Sequence, residues 1–313
     1  MITQRICIGV VENEQQQILV GKRKPGTHLE GCWEFPGGKV SRCESFKLAL
    51  RRELYEEIGI RAHAMSRIFE FQHQYEDRCL HFQVFKVTGF SGQVRPVEKQ
   101  QLQWVSKAQL PLLNFPAANS SMLDALSMPA KYMIADQDVL RDQLFSVARK
   151  QLEKGISQIQ YRACKENKET YISHAKQLKK LCVEYDAKLI CNCDPVWALE
   201  VEAHGIHLNS RRLSDIYHHP LEYKSIECFS ASCHNEKEVA MANKVGVRCI
   251  LIGPVNPTQS HVDVQAIGWS RFSQLCFIAR VPVYALGGLS LDDCKNANVH
   301  GAQGIAAIRA FIN

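Results

Sequence analysis

Three carboxylates crowd the stretch Arg52-Glu53-Leu54-Tyr55-Glu56-Glu57. On a helix, Glu53 and Glu57 stand four apart and Glu56 three from Glu53, so all three project from one face. Like charges this close repel one another. Two readings are therefore open: a solvated face on which Arg51 and Arg52 pair the glutamates, or a cage of hard oxygen ligands for Mg2+ or Mn2+. Just upstream, Phe35-Pro36-Gly37-Gly38 makes a turn in which backbone can approach a ligand closely. Gly59 stands where such a helix should end.

The elements that must position these residues can be read from the surrounding pattern. RICIGVV and QILVGKR flank the polar turn ENEQQ and predict a hairpin. Residues 44–58 read as a helix, HFQVFKVTGF and QLQWVS as strands, and FPAANSSMLDALSM as a closing helix capped by Asn119 or Ser120. After Pro129 the rhythm changes. KYMIAD, ISQIQY, AKLIC, HGIHL, SIECFS, RCILIG, VPVYAL and AQGIAAI are short apolar strands, most of them separated by helical stretches. Eight such units predict a closed parallel (β/α)8 barrel, short for its kind. The expected organisation is α/β throughout, with one domain over 1–128, a boundary near Ser127–Lys131 and a second domain over 131–313.

Composition narrows the function classes. The chain has 313 residues, 46% hydrophobic and 22% charged, which is globular rather than disordered. Its net charge of +6 is spread without a long basic run, so direct binding to nucleic acid is not indicated, while small anionic ligands are compatible. No apolar run is long enough to cross a bilayer, and Glu12 and Glu14 interrupt any signal-peptide core, so no membrane contact and a cytoplasmic location are expected. The 13 cysteines are scattered and odd in number, which favours reduced thiols.

The wider spacing decides between the two readings of the glutamates. Gly38, five residues, Glu44, seven residues, Arg52-Glu53-Leu54, one residue, Glu56-Glu57, one residue, Gly59-Ile60 matches every fixed position of the Nudix box. The resemblance implies an α/β/α sandwich with the box as loop–helix–loop, and metal-dependent hydrolysis of a nucleoside diphosphate linked to another group. Glu53, Glu56 and Glu57 would then hold the metal, with the Gly37 carbonyl as a further ligand. Arg52 would orient the carboxylates, Glu44 would support the loop–helix geometry, and Lys39 would meet phosphate.

Most of residues 1–128 resembles the MutT-like subfamily, whose members are 8-oxo-dGTP diphosphatases. WEFPGGKV leads into the box, and FPAAN ends in Asn119. The resemblance implies that Arg23, His28, Glu34, Phe35, Pro36, Gly37 and Asn119 meet the nucleotide, that Arg78 reaches it from the hairpin region, and that Glu98 is a further carboxylate at the metals. The amide of Asn119 offers a donor and an acceptor to a purine edge. The reaction implied is 8-oxo-dGTP + H2O → 8-oxo-dGMP + pyrophosphate, which protects replication from an oxidised precursor.

Residues 131–313 resemble the thiamine-phosphate synthase/TenI family through KYMIAD, QIQYR, HGIHL, SASCH, LIGPVNPT, YALGGLS and GAQGIAAIRA. The resemblance implies a barrel that binds phosphate after its last two strands, at Gly287-Gly288 and near Ala306–Arg309, with a phosphorylated thiazole or pyrimidine as ligand. Ser232 and His234 are the residues expected to work there, His234 as the acid/base of a TenI-like thiazole tautomerase. Several family positions differ. Asn192-Cys193 replaces an Asn-Asp pair, Arg211 and Arg212 stand where an acid is expected, and Cys164 and His261 replace lysines. These departures weigh against synthase activity and toward a barrel that binds a phosphorylated ligand, as a sensor or interaction module. The fusion also raises the alternative that the hydrolase acts on a thiamine-pathway pyrophosphate.

Overall fold

The computed structural model describes residues 3–26, 29–74, 79–116, 119–220, 227–258 and 264–312. It divides into two compact units, Met1–Ser127 and Met128–Asn313. Among the described residues no cysteines are joined, and no helix is long and apolar enough to cross a membrane.

The first unit contains β1 (Thr3–Val11), β2 (Ile18–Lys22), β3 (Trp33–Glu34), β4 (Gly37–Lys39), α1 (Phe46–Ile58), β5 (Arg61–Gln74), β6 (Cys79–Ser91), β7 (Gln101–Val105) and α2 (Ser120–Ser127). Two sheets form, one in the order β4-β1-β6-β5 and one in the order β3-β2-β7. The predicted hairpin is thereby corrected. β1 and β2 lie in different sheets and meet only at an isolated bridge between Glu12 and Ile18. The turn between them is real, with Gln17 N donating to Asn13 Oδ1. A turn signal cannot specify long-range partners, however, and β1 instead pairs in parallel with β6 along its whole length.

Alternation along β1 serves two cores. Ile8 and Val10 join Val20, Trp33 and Phe35 with Met122 and Ala125 of α2. Cys7 and Val11 join Ala49, Leu50, Leu54 and Ile58 of α1. The unit is thus an α/β/α sandwich. α1 starts at Ser45, whose hydroxyl accepts from the Leu48 amide, and ends at Gly59 with φ 74°. Its apolar stripe is fully buried, which leaves Arg52, Glu53, Glu56 and Glu57 on the remaining faces.

The second unit is a closed parallel barrel of eight strands, as the pattern predicts: β8 (Lys131–Asp136), β9 (Gln158–Arg162), β10 (Lys188–Asn192), β11 (Gly205–Leu208), β12 (Cys228–Cys233), β13 (Cys249–Ile252), β14 (Val283–Leu286) and β15 (Gly304–Ala307). Helices α3 (Gln137–Leu140), α4 (Leu144–Glu153), α5 (Lys168–Glu184), α6 (Pro195–Val201), α7 (Ser210–His218), α8 (Glu236–Val245), α9 (Gly268–Ile278) and α10 (Cys294–Val299) occur between them. Period-two alternation sorts the side chains. Tyr132, Ile134, Ile190, Phe229, Leu251 and Tyr284 form one cluster. Met133, Ala135, Ile159 and Leu189 join the larger core with the helices.

Candidate functional site

In the first unit the box helix is organised by one guanidinium. Arg52 Nε and Nη2 donate to the two oxygens of Glu44 at 3.2 and 3.0 Å. Nη1 donates to Glu53 at 2.8 Å and to Glu56 at 3.0 Å, and Nη2 also reaches the Lys39 carbonyl at 3.1 Å. The planar fork of arginine suits this multiple role, which lysine could not fill. The three hydrogen-bonded carboxylates hold Arg52 firmly protonated, Glu44 first among them, and Arg52 holds Glu44 below the usual carboxylate range.

Glu57 is treated differently. It accepts from the Gly37 amide at 3.1 Å. Burial, added to the charges of Glu53, Glu34 and Glu98, pushes its carboxyl up to about 8. Glu34 is likewise raised by burial, although Arg23 donates to it at 2.7 Å. Gly38 has a steric reason: a Cβ there would lie 2.5 Å from the carboxylate carbon of Glu53. The box glycine therefore makes room for the box glutamate.

A cleft of about 270 Å³ opens beside this cluster, lined by Lys22, Arg23, Lys24, Glu34, Pro36, Glu57, Glu98 and Gln100 among others. Lys24 donates to Glu98 at 3.1 Å across it. The structure thus brings Arg23, Glu34, Pro36, Glu57 and Glu98 together, with Gly37 at their edge. Lys39 is exposed. Phe35 is buried, with its ring stacked on Phe115 at 5.1 Å. Asn119 is partly buried immediately before α2 and is not among the described residues lining the cleft. His28 and Arg78 lie outside the described residues, as does His261 of the barrel. Lys24 and Gln100 were not expected. Gln100 donates to the Glu57 carbonyl at 2.9 Å while its own Oε1 is buried and unpartnered. A long-range contact of this kind leaves no local sequence signal.

The donor set suits a hard divalent cation. Several carboxylates, one of them buried and destabilised as an anion by its neighbours, need added positive charge. Among the described residues, no three acidic or other ligating groups already form a coordination sphere. Arg52 draws Glu53 and Glu56 toward itself instead.

The barrel carries a cavity of about 740 Å³ beyond the carboxyl ends of its strands. Ser232 and His234 of the β12 region line it, with Gly287 and Gly288 after β14. His234 Nδ1 lies 2.6 Å from the Gly253 carbonyl. A carbonyl only accepts, so Nδ1 carries a proton and faces inward, which leaves Nε2 as the nitrogen that can exchange one. Gly287 and Gly288 have φ of 97° and 63°, and a side chain at either would strike Pro254 or Pro257.

Beneath them runs a buried polar chain. Ser232 Oγ lies 2.9 Å from His207 Nε2, and His207 Nδ1 lies 2.8 Å from Ser230. Ser230 in turn meets Tyr132, whose hydroxyl donates to Gln160. Burial, then the charges of Arg212 and Arg162, lower His207 to about 3. Arg162 pairs with the buried Asp136, and Glu166 is held by Tyr161 at 2.5 Å and His174 at 2.7 Å. A histidine, a glutamine and an arginine inside otherwise apolar strands are the signal that could have exposed this network.

Comparison with known proteins decides what the two units are. Residues 131–311 match the family model described as thiamine monophosphate synthase, and residues 7–125 match the NUDIX domain. The chain is a NUDIX domain fused to a barrel of the thiamine monophosphate synthase family. The barrel is similar to the putative thiamine-phosphate synthase 2 of Aquifex aeolicus, 30% identical over 187 residues, which span 60% of this chain and 100% of that protein. The NUDIX domain is similar to the 8-oxo-dGTP diphosphatase of Escherichia coli, 30% identical over 122 residues, which span 39% of this chain and 95% of that protein. Among solved structures, the thiamine phosphate pyrophosphorylase of Pyrococcus furiosus matches at 26% identity with a TM-score of 0.52, covering 62% of this chain and 89% of that one.

Proposed function

We propose that the NUDIX domain hydrolyses 8-oxo-dGTP to 8-oxo-dGMP and pyrophosphate with Mg2+ or Mn2+. The observation that carries the metal-dependent hydrolase reading is Glu57, a buried carboxyl raised to about 8 amid Glu53, Glu34 and Glu98 beside a cleft of about 270 Å³, and the substrate rests on the likeness to the 8-oxo-dGTP diphosphatase. Glu53, Glu56 and Glu57 would hold the cation, with Glu98 and the Gly37 carbonyl as further ligands. A cation bound there supplies charge neutralisation to the phosphate oxygens and activates water for in-line attack. To hold a cation, Glu53 and Glu56 would have to leave Arg52, which Glu44 and the Lys39 carbonyl would still anchor. Arg23 and Lys24 line the cleft and are the proposed contacts for the substrate's anionic groups, with the exposed Lys39 as a further candidate for phosphate. Asn119, with a donor and an acceptor on one amide, is the proposed reader of the purine edge, and a site built on such hydrogen bonds rejects a base that leaves them unpaired.

The test is pyrophosphate release by the whole chain, with Mg2+, from 8-oxo-dGTP, dGTP and thiamine diphosphate. Turnover of 8-oxo-dGTP far above the other two supports the reading; comparable turnover of thiamine diphosphate overturns the substrate assignment.

For the barrel we propose the binding of a phosphorylated small molecule, carried by the cavity that Gly287 and Gly288 border. His234 Nε2, the nitrogen that can exchange a proton, keeps tautomerase chemistry open there, and Ser232 offers a hydroxyl beside it.

A further inference from the structure

The barrel cavity is lined by three guanidiniums, those of Arg162, Arg212 and Arg309, and by one carboxylate, Glu166. The charges do not cancel evenly. Glu166 is already engaged by Tyr161 and His174, and Arg162 is met by Asp136. Arg212 has no carboxylate partner among the described residues; its guanidinium donates only to the amide oxygen of Asn192 at 3.0 Å. Its place makes that charge costlier. It sits in the first turn of α7, which has no acidic residue there, so a cation adds to the positive end of the helix dipole. A half-buried cation in such a position is stabilised when an anion shares the cavity. The field of Arg212 reaches the cavity floor, where it helps keep His207 neutral.

The same inventory bears on metal. A divalent cation shared with a phosphate needs at least one free carboxylate, and the one carboxylate among the described residues that line this cavity, Glu166, is already held by Tyr161 and His174. Resting on the proposed phosphate-ligand reading of the cavity, we infer that the barrel captures a phosphate or diphosphate group directly on the Arg212–Asn192 pair, without a divalent metal. Arginine suits this role because it offers several fixed donors to anionic oxygens. The amide of Asn192 turns its oxygen to Arg212, which leaves its NH2 as a further donor.

The experiment is calorimetric titration of the full chain with inorganic pyrophosphate and with inorganic phosphate, in EDTA and then in Mg2+, for the unaltered protein, Arg212→Ala and Arg212→Lys. The expected result is binding in EDTA that Arg212→Ala weakens about tenfold or more, as loss of a charge-assisted contact should. Arg212→Lys should recover part of it. Binding that is absent in EDTA yet weakened by Arg212→Ala in Mg2+, or binding in EDTA that Arg212→Ala leaves unchanged, overturns the inference and spares the phosphate-ligand reading. Absence of binding for both anions, with and without Mg2+, overturns that reading itself. Circular dichroism of each variant verifies that the barrel is intact.

Discussion

At the scale of single residues, the NUDIX site depends on close approach and on one displaced pKa. Gly38 leaves room for the Glu53 carboxylate, so Gly38→Ala should push Glu53 aside. Hydrolysis is expected to fall on the order of 100-fold, as for other small misplacements of a reacting group. Unchanged turnover would remove Glu53 from the chemistry. Glu57 has its folded value raised to about 8 from an ordinary 4.5. In metal-free protein the native state therefore keeps a proton that the unfolded chain releases. The corresponding stability is full below about 4.5 and is lost as pH rises through about 8. Metal needs the carboxylate, so cation and proton compete. Mg2+ titrations on either side of that value should give tighter apparent binding at the higher pH, with proton release at the lower one; pH-independent binding would argue against Glu57 as a ligand. Glu57→Gln should abolish hydrolysis without unfolding the domain.

At the scale of elements, α1 bears the box glutamates and β11 bears the buried histidine beneath the barrel cavity. Leu54 is fully buried in the core between α1 and the sheets. Leu54→Ala should cost about 2–5 kcal/mol, seen as a lowered denaturation midpoint. In β11, His207 is buried and neutral, with a value near 3 in the fold against 6.5 ordinarily. As pH falls from about 6.5 toward 3, the unfolded chain takes up a proton that the barrel refuses. Barrel stability should decline through that window by an order of a few kcal/mol and be complete above it. Denaturant melts of the full chain across that range, with His207→Gln as reference, measure the effect; the same acid slope in both proteins would assign it elsewhere. His207, lowered by burial and 2.9 Å from the Ser232 hydroxyl, is suited to holding that hydroxyl in place.

At the scale of the whole molecule, the two proposals set opposite demands on metal. Chelation should stop nucleotide hydrolysis and leave anion binding in the barrel intact, which one sample can show by pyrophosphate release and calorimetry. The spacing from Gly38 to Ile60 carried the candidate metal residues because helix periodicity alone puts three glutamates on one side and the apolar stripe on the other. The eight short apolar strands carried the barrel for a similar reason, since alternating strands and helices have few ways to bury both faces. Pairing across distance was another matter. The local turn signal at ENEQQ pointed to a hairpin, and only the long edge offered by β6 explains why β1 and β2 part into separate sheets. Arg212 stood in the sequence as a departure from its family's acid. Its contact with Asn192, twenty residues away, and its lack of a carboxylate partner appear only once α7 meets the mouth of the barrel. Residue type and short-range spacing determined which groups could do chemistry. The tertiary structure decided their charge balance, because desolvation and Coulomb energy depend on neighbours in space and not on neighbours in the chain.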